Sequence, residues 1–400
     1  MAEKRKLILI SPMLHQGGFE RVCVTTARLL EPYFDITIVI FDSADIAYNV
    51  DGLKIIDLKL GVQQGKWKKI LNIIKRSLAL RKLKKQIKPD ISYSFGPTAN
   101  MANAFSKTKG TKVWLGIRSY MDVEETTKMK LFTRFGDLLV CCSKEIQKEI
   151  EVKFGFDKTG VLYNPYDVEL IRREAEKERP HLPWQDTDEV GRQMKVLVSM
   201  GRDDEVKGFW HLLKSFSLVQ AVCPESRLLI LGDGTFEKDK KLAKNLGIAD
   251  KVCFAGMQRE PYKYLREGQI YVLTSSREGF PNALVEGMAL GLAPVSTNCM
   301  TGPAEILMYH ADCEGLKQQM IEKKTDVIYG DFGILLPVMD AERSEEETAI
   351  EPLERTLADV LVKLLEDTAL LEQYRQAAAG RAGIFTYEGY VEQFLKMAAE

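Results

Sequence analysis

Residues 270–289 have the sequence IYVLTSSREGFPNALVEGMA, in which two apolar runs are separated by a polar turn. The first run, Ile270 to Ser275, predicts a short buried strand, and Gly279 to Pro281 predict the turn. A helix is expected to begin at Ala283. Because strand and helix alternate directly, the segment is typical of a parallel α/β sheet, and the turn lies at the carboxyl end of a strand.

Two glutamates, Glu278 and Glu286, border this turn. The first N–H groups of a helix have no partner within it and lie at the positive end of the helix dipole, so they attract phosphate. Carboxylates accept charge-assisted hydrogen bonds from sugar or ribose hydroxyls. We therefore expect a nucleotide sugar here. The alternative is a helix-start charge and a solvated helix face, which the glutamate pair alone does not exclude.

A second group of polar residues follows the strand predicted at 196–200. Arg202 presents a planar fork to phosphate oxygens, and Lys207 presents a compact ammonium. Both suit a diphosphate leaving group, whose negative charge grows during transfer. Alternatively they are ordinary surface cations. Further strands are predicted at 228–231 and 252–256, so the second half of the chain is expected to be a doubly wound sheet.

The first half of the chain repeats the pattern, with strands predicted at 7–10, 36–41, 90–94, 113–117 and 138–142. Gly17 and Gly18 open the first helix, and a glycine pair lets the backbone approach a ligand closely. Gly232 and Gly234 form only part of a dinucleotide fingerprint, because Glu237 stands at the third glycine position. A nicotinamide cofactor is therefore rejected.

These motifs resemble those of the family 4 retaining glycosyltransferases (GT4) of the GT-B fold. The shared features are E-x7-E at Glu278 and Glu286, the TGPAEI stretch at 301–306 and the GGFER stretch at 17–21. The resemblance implies an α/β protein with two Rossmann-like, doubly wound domains facing an interdomain cleft. The expected divisions are an acceptor-binding domain (1–170), a linker (171–194), a nucleotide-sugar-binding domain (195–380) and a C-terminal helix (381–400) that returns to the first domain.

The same resemblance assigns the site residues. It implies catalytic roles for Arg202, Lys207 and Glu278, with Glu278 touching the donor sugar. Glu286 is expected to bind the ribose hydroxyls, and Met257 begins the loop expected against the base. The diphosphate is expected at the backbone of Gly279, Phe280, Pro281, Asn282, Ala283 and Leu284, with Gly17 and Gly18 facing the donor and acceptor.

Many members of this family carry a histidine in the first domain near the donor, and this chain departs from that pattern. None of its four histidines follows the relevant strands, where Ser94 and Arg118 stand instead. Arg118 is expected either to contact the acceptor or leaving group, or to form a structural ion pair. His15 precedes the glycine pair and either faces the cleft or lies on a loop surface. The front-face mechanism attributed to the family requires no side-chain base.

The expected function is transfer of a hexose or N-acetylhexosamine from a nucleoside-diphosphate sugar, with UDP favoured, to a hydroxyl of a growing glycan that is plausibly polyprenyl-linked. No cofactor and no metal are expected, because Arg202, Lys207 and the helix amides neutralise the diphosphate; adjacent Asp203 and Asp204 are weak evidence for a metal. Two alternatives stay open: a non-catalytic GT-B scaffold of a glycan assembly complex, and a nucleotide-sugar epimerase.

The distribution of charge along the chain indicates whether nucleic acid or a membrane is the expected partner. The formal net charge is −1, which argues against nucleic acid, but Lys66 to Lys88 contains ten basic and no acidic residues. Apolar residues recur there at helical spacing, so we expect a helix with its apolar stripe on the domain and its basic side on an anionic membrane. A solvated helix face is the alternative. No segment is long enough to span a bilayer, and the cysteines are typical of reduced core thiols. The expected location is therefore the cytoplasm or the inner face of the plasma membrane.

Overall fold

The computed structural model describes residues 4–15, 17–184, 194–309, 315, 327–343, 346 and 348–400. The chain divides into two compact units. The first comprises Met1–Tyr166 together with Tyr387–Glu400, and the second comprises Asp167–Thr386. The chain therefore enters the second unit once and returns to the first for its last residues.

The first unit is built on a seven-stranded sheet in the order β3-β2-β1-β4-β5-β6-β7, in which every neighbouring pair is parallel. The strands are β1 (Arg5–Ser11), β2 (Phe34–Ile40), β3 (Ile55–Asp57), β4 (Ile91–Phe95), β5 (Lys112–Ile117), β6 (Leu138–Cys141) and β7 (Thr159–Val161). The winding direction reverses between β1 and β4, which are neighbours in the sheet although β2 and β3 separate them in sequence.

Helices cover both faces of this sheet. They are α1 (Gly18–Leu30), α2 (Lys66–Ile87), α3 (Pro97–Phe105), α4 (Tyr120–Glu124), α5 (Thr126–Phe135) and α6 (Lys144–Phe154). Leu7 and Leu9 of β1 share a buried cluster with α1, whereas Ile8 and Ile10 share another with Leu80 of α2 and with α3. Alternate residues of a strand point to opposite faces, so a strand covered on both sides is apolar throughout.

The second unit contains another seven-stranded sheet, in the order β10-β9-β8-β11-β12-β14-β13. Its strands are β8 (Lys195–Met200), β9 (Ser226–Leu231), β10 (Val252–Gly256), β11 (Ile270–Leu273), β12 (Ala293–Thr297), β13 (Ile328–Tyr329) and β14 (Ile334–Leu336). All pairs are parallel except β13 with β14. The two doubly wound parallel sheets predicted from the sequence are thus confirmed.

The remaining described helices complete the two units. They are α7 (Val168–Ala175), α8 (Phe209–Val222), α9 (Glu237–Asn245), α10 (Tyr262–Leu265), α11 (Asn282–Ala289), α12 (Pro303–Leu307), α13 (Pro352–Glu366), α14 (Thr368–Ala382) and α15 (Tyr387–Ala399). Helix α7 overlaps the range expected to be a linker and belongs to the second unit, and residues 185–193 of that range lie outside the described residues.

The last helix, α15, belongs to the first unit. The Phe394 ring is fully buried, with its centroid 5.2 Å from that of Trp114 and 5.8 Å from that of Phe34. The Tyr390 hydroxyl lies 2.6 Å from that of Thr26 on α1. Helix α15 is therefore an integral part of the first core.

Helix α2 differs from the expectation in which side it buries. Trp67, Ile70 and Ile74, assigned to the packed stripe, are exposed, whereas Arg76 and Lys84 are buried. Arg76 lies 4.4 Å from the Phe41 ring centroid and donates to the Leu60 carbonyl, so its cation is compensated inside. The expected packing is wrong for the first half of α2.

Within the described residues, no helix is both long and apolar enough to cross a membrane.

Candidate active site

The reversal of winding in the second sheet lies between β8 and β11. Loops that leave two such strands diverge, and the crevice outside their carboxyl ends is where open α/β sheets bind ligands. Arg202 and Lys207 follow β8, while Glu278 and Glu286 follow β11. The polar residues singled out in the second half of the sequence therefore flank this point.

Lys207 and Glu278 are in direct contact. The Lys207 Nζ lies 2.7 Å from the Glu278 Oε1, and their side chains are 22% and 12% exposed. The Thr274 hydroxyl, just after β11, donates to the Lys207 carbonyl at 2.9 Å and ties the two loops together. An ammonium and a carboxylate thus meet at the edge of the sheet, partly shielded from water.

Met300 and the first residues of the TGPAEI stretch form hydrogen bonds with the turn that carries Glu278. The Glu278 N–H donates to the Met300 carbonyl at 3.1 Å, and the Thr301 hydroxyl donates to the Gly279 carbonyl at 3.0 Å. Gly302 has a φ of +102°, and a Cβ there would lie 2.8 Å from the Pro281 Cδ. Only glycine fits this position, which explains why this motif accompanies the turn.

Helix α11 starts directly after the turn, with Pro281 as its N-cap and no side-chain cap. Asn282 and Ala283 are half-buried, Phe280 is buried 5.2 Å from the Phe385 ring, and Leu284 is in the core. An N-terminus capped by no side chain keeps its dipole available to an anion. The arrangement suits a phosphate group at the backbone of this turn.

Glu286 is only 3% exposed and receives a hydrogen bond from the Tyr262 hydroxyl, at 3.4 Å from its Oε1. Tyr271, which the sequence interpretation did not select, is fully buried and donates to the Met200 carbonyl at 3.3 Å. Burial, and to a lesser extent the charges of Glu278 and Glu286, raises the Tyr271 pKa well above its ordinary value. Tyr271 is therefore a neutral support near both carboxylates. Its signal in the sequence is a lone hydroxyl in an apolar strand.

Arg202 is placed less firmly. Its side chain is 73% exposed, and its Nη2 lies 3.9 Å from the Asp204 Oδ2. The neighbouring aspartates have structural partners, because Asp203 accepts from the Phe236 N–H at 2.7 Å and Asp204 accepts from the Val206 N–H at 3.1 Å. Arg202 thus follows β8, as predicted. Among the described residues, however, its guanidinium forms no hydrogen bond or ion pair with Lys207 or Glu278.

Met257 lies beyond the end of β10, which is the edge strand two places from β8. Its side chain is exposed. In the parts of the chain described, no hydrogen bond or ion pair links it to the residues that follow β8 and β11. Its expected role at the base stays a prediction.

In the first unit, Gly17 and Gly18 follow β1, next to that sheet's own reversal point. The Tyr48 hydroxyl contacts both the N–H and the carbonyl of Gly17, at 2.8 and 2.7 Å. A Cβ on Gly17 would lie 2.3 Å from a carboxylate oxygen of Glu20, so the missing side chain makes room for that glutamate. His15, two residues earlier, is half-buried.

Arg118 follows β5, and its guanidinium contacts neutral groups. It donates to the Asn164 Oδ1 at 2.9 Å and to the Tyr93 hydroxyl at 2.5 Å, and its guanidinium lies 5.1 Å from the Phe95 ring centroid. Its Nε is buried without a partner. Among the described residues no carboxylate forms an ion pair with its guanidinium, and its expected contact with the acceptor or leaving group stays a prediction.

One further cluster in the second unit has the composition of a metal site. Ligand atoms of His211, Glu351 and Glu354 lie within 4.8 Å of one another. However, the His211 Nδ1 is 2.7 Å from the Glu354 Oε1, and the Lys214 ammonium is 3.3 Å from the same oxygen. A protein cation already balances this buried carboxylate, and the cluster joins α8 to the start of α13.

Comparison with known proteins agrees with this geometry. Residues 186–316 match the family model described as glycosyl transferases group 1. The chain is 29% identical over 346 residues, 80% of its length and 82% of the relative's, to an uncharacterised glycosyltransferase of Methanocaldococcus jannaschii. It is 24% identical, over 95% of its length and 96% of the relative's, to the Campylobacter jejuni N-acetylgalactosamine-N,N'-diacetylbacillosaminyl-diphospho-undecaprenol 4-alpha-N-acetylgalactosaminyltransferase.

Among solved structures, Anabaena HepE in complex with UDP and glucose superimposes with a TM-score of 0.73 at 17% identity, covering 99% of this chain and 100% of that one. This superposition shows the GT-B fold. The family match over residues 186–316 and these relatives support a hexosyltransferase of the GT4 type, as the motifs predicted.

Proposed function

We propose that the protein transfers a hexose or N-acetylhexosamine from a nucleoside-diphosphate sugar, with UDP favoured, to a hydroxyl of a growing glycan, with retention of configuration. The observation that carries this proposal is the contact between Lys207 and Glu278 at the reversal point of the second sheet. It puts a cation for a diphosphate and an acceptor for sugar hydroxyls in one place. The UDP named with HepE supports the choice of base.

The reaction assigns each group a role. The bond between the anomeric carbon and the diphosphate oxygen breaks, and the acceptor oxygen forms its bond on the same face. The acceptor proton passes to the leaving diphosphate oxygen, so no side-chain base is required. Lys207 and Arg202 stabilise the charge on that diphosphate, as does the start of α11, and Glu278 orients the sugar.

Neighbouring residues bind the remaining parts of the donor. Glu286 accepts hydrogen bonds from the ribose hydroxyls, and Met257 contacts the base. The backbone from Gly279 to Leu284 holds the diphosphate. Gly17, Gly18 and Arg118 of the first unit serve the donor and acceptor, with the Arg118 cation meeting an anionic part of either substrate.

Neither a divalent metal nor an organic cofactor is required in this proposal. Two protein cations and a helix N-terminus balance the two phosphates, which is the task that a metal performs in other transferases. A metal-dependent reaction would contradict this part of the proposal.

The acceptor is proposed to be a glycan on a lipid carrier. The Campylobacter relative is named for an undecaprenol-linked acceptor, and helix α2 exposes both lysines and large apolar residues. A helix with this surface binds anionic membrane interfaces through its cations and its inserted apolar side chains. The protein is thus proposed to work at a membrane surface.

The test is release of nucleoside diphosphate from a panel of UDP-hexoses and UDP-N-acetylhexosamines, with and without glycan acceptors. We expect turnover of one donor, a fall in kcat of about 100-fold in Lys207→Met, and a product of unchanged anomeric configuration by NMR. Lys240→Met, on an exposed helix position of the same unit, is the charge-matched control. Donor binding without turnover under every condition would favour the scaffold alternative.

A further inference from the structure

Arg381, at the end of α14, closes the C-terminal end of α12 in the second unit. Its Nη2 donates to the Glu305 carbonyl at 2.7 Å and to the Met308 carbonyl at 3.1 Å, and its Nε donates to the Ile306 carbonyl at 3.0 Å. The last carbonyls of a helix have no partner within it, and buried carbonyls need one. One guanidinium from another helix therefore satisfies these three carbonyls.

Aromatic rings surround the same guanidinium. Its Cζ lies 4.8 Å from the centroid of the Phe332 ring, 5.5 Å from that of Phe385 and 5.9 Å from that of Tyr309. Phe332 and Phe385 are buried. A planar cation is attracted to aromatic rings at these distances. Arg381 is thus fixed by hydrogen bonds and by rings together, unlike an ordinary surface arginine.

The other end of α12 lies against the turn that precedes α11. The Thr301 N–H donates to the Glu278 carbonyl at 3.2 Å, in return for the bond from the Glu278 N–H to the Met300 carbonyl. Helix α12 has five residues, so it is only about 8 Å long. A short, hydrogen-bonded helix transmits a displacement from one end to the other. The contacts of Arg381 at one end of α12 therefore influence the turn at its other end.

A second contact leads to the same turn through Phe385. The Phe385 and Phe280 ring centroids are 5.2 Å apart with their planes at 75°, which is a favourable edge-to-face geometry. Both rings are buried, and Phe280 belongs to the turn itself. Arg381 thus contacts both supports of this turn, α12 on one side and Phe385 on the other.

We propose that Arg381 is a positioning residue for the donor site, which holds α12 and Phe385 where they keep residues 279–284 in a phosphate-binding conformation. This inference rests on the diphosphate site in the proposed function and adds a residue outside that site on which its geometry depends. Backbone N–H groups bind a phosphate well only when they are held in the productive arrangement before it arrives. Arg381 acts through the backbone and the rings, without touching the donor.

The first experiment is amide hydrogen exchange of the full chain without ligand. The Glu278 and Thr301 amides report on the turn, because each bonds across it. In Arg381→Met we expect both to exchange about tenfold faster or more, the scale of one lost hydrogen bond to a charged group. The control is Arg375→Met on the same helix, since Arg375 donates to the Gly291 carbonyl at 2.8 Å, beyond the far end of α11. Unchanged exchange in Arg381→Met, or equal acceleration in both variants, would overturn the inference.

The second experiment compares the affinities of the same variants for UDP and for uridine. UDP requires the turn, whereas uridine occupies only the base and ribose positions of the proposed site. Arg381→Met should weaken UDP binding by about tenfold and uridine binding by less than about twofold, while Arg375→Met should change neither. A general loss of structure weakens both ligands alike, so equal losses in Arg381→Met would contradict a positioning role.

Failure of the donor proposal is recognised separately. If wild type binds no nucleoside diphosphate, that proposal fails, and exchange at Glu278 and Thr301 alone decides the role of Arg381. If Arg381→Met does not fold, Arg381→Lys and Phe385→Leu replace it. The first keeps the cation without the planar fork, and the second keeps an apolar side chain without the ring edge. Both should accelerate exchange by about threefold, and wild-type exchange in both would overturn the inference.

Discussion

Lys207 and Glu278 show how single residues shape the proposed donor site. Their contact at 2.7 Å keeps both charges in place while no substrate neutralises them. An arriving diphosphate competes with Glu278 for the ammonium and leaves the carboxylate to the sugar hydroxyls. Beneath them, Tyr271 is neutral and buried, so it supports the two loops without adding charge.

The packing of Tyr271 predicts opposite effects for two helical glycines. A Cβ at Gly287 would lie 2.9 Å from the Tyr271 ring, so Gly287→Ala should destabilise the second unit by about 1–3 kcal/mol. Gly380 of α14 has open space around it, and Gly380→Ala should stabilise by about 0.5–1 kcal/mol. Urea unfolding of both variants measures the difference. Equal effects would show that the Tyr271 contact is unimportant.

A second prediction at this scale concerns Lys84. Burial lowers its pKa to about 7 from 10.5, with Asp137 opposing the change and Lys107 adding to it. Between these two pH values the unfolded chain binds more protons than the folded one, so the Lys84 contribution to stability rises with pH. The melting temperature of wild type, measured relative to that of Lys84→Met, should therefore increase from pH 7 to pH 9. A difference that is constant with pH would contradict the lowered pKa.

At the scale of elements, the strands and the E-x7-E turn were predictable because their residues determine them locally. Leu7 to Ile10 is apolar throughout and allows little except a strand buried on both faces. The burial of α2 was not predictable, since its cations are compensated by distant groups: Arg76 by the Leu60 carbonyl and Lys84 by Asn103. Apolar spacing alone does not reveal such partners.

The buried position of helix α15 predicts how much its side chains contribute to the stability of the first unit. Phe394 is fully buried among the rings of Phe34, Tyr93 and Trp114, so Phe394→Ala should cost about 3–5 kcal/mol in the stability of the first unit. Gln393→Ala, on the exposed side of the same helix, should change stability by at most about 0.5 kcal/mol. Chemical unfolding followed by tryptophan fluorescence tests the pair. Equal small effects would mean that α15 is peripheral to the core.

At the scale of the whole molecule, the two doubly wound units and the family motifs account for a GT-B glycosyltransferase. The fold class was predictable from alternating strands and helices, whereas the roles of Met257 and Arg202 stay predictions, because their exposed side chains have few contacts that define them. The only sequence signal of Tyr271 is a lone hydroxyl in an apolar strand, and its contacts with the Met200 carbonyl and near the two carboxylates emerged from the tertiary structure.

The proposed charge balance predicts a reaction that does not depend on a metal. Turnover should persist within about twofold in excess EDTA, because Lys207, Arg202 and the start of α11 stabilise the leaving diphosphate. The measurement is the initial rate before and after chelation, with magnesium and manganese added back. Loss of activity in EDTA and recovery with either ion would contradict the prediction.

The most direct measurement of the central claim is a thermal-shift panel of UDP, GDP, ADP and CDP on wild type and on Glu286→Ala. A ligand of the native state raises its melting temperature by mass action. We expect one diphosphate, UDP, to stabilise wild type, and Glu286→Ala to weaken that binding by about 1.5–3 kcal/mol, the scale of a charged hydrogen bond. The exposed Glu342→Ala should behave as wild type. No shift with any nucleotide, or a UDP shift unchanged in Glu286→Ala, would contradict a donor site at Glu278 and Glu286.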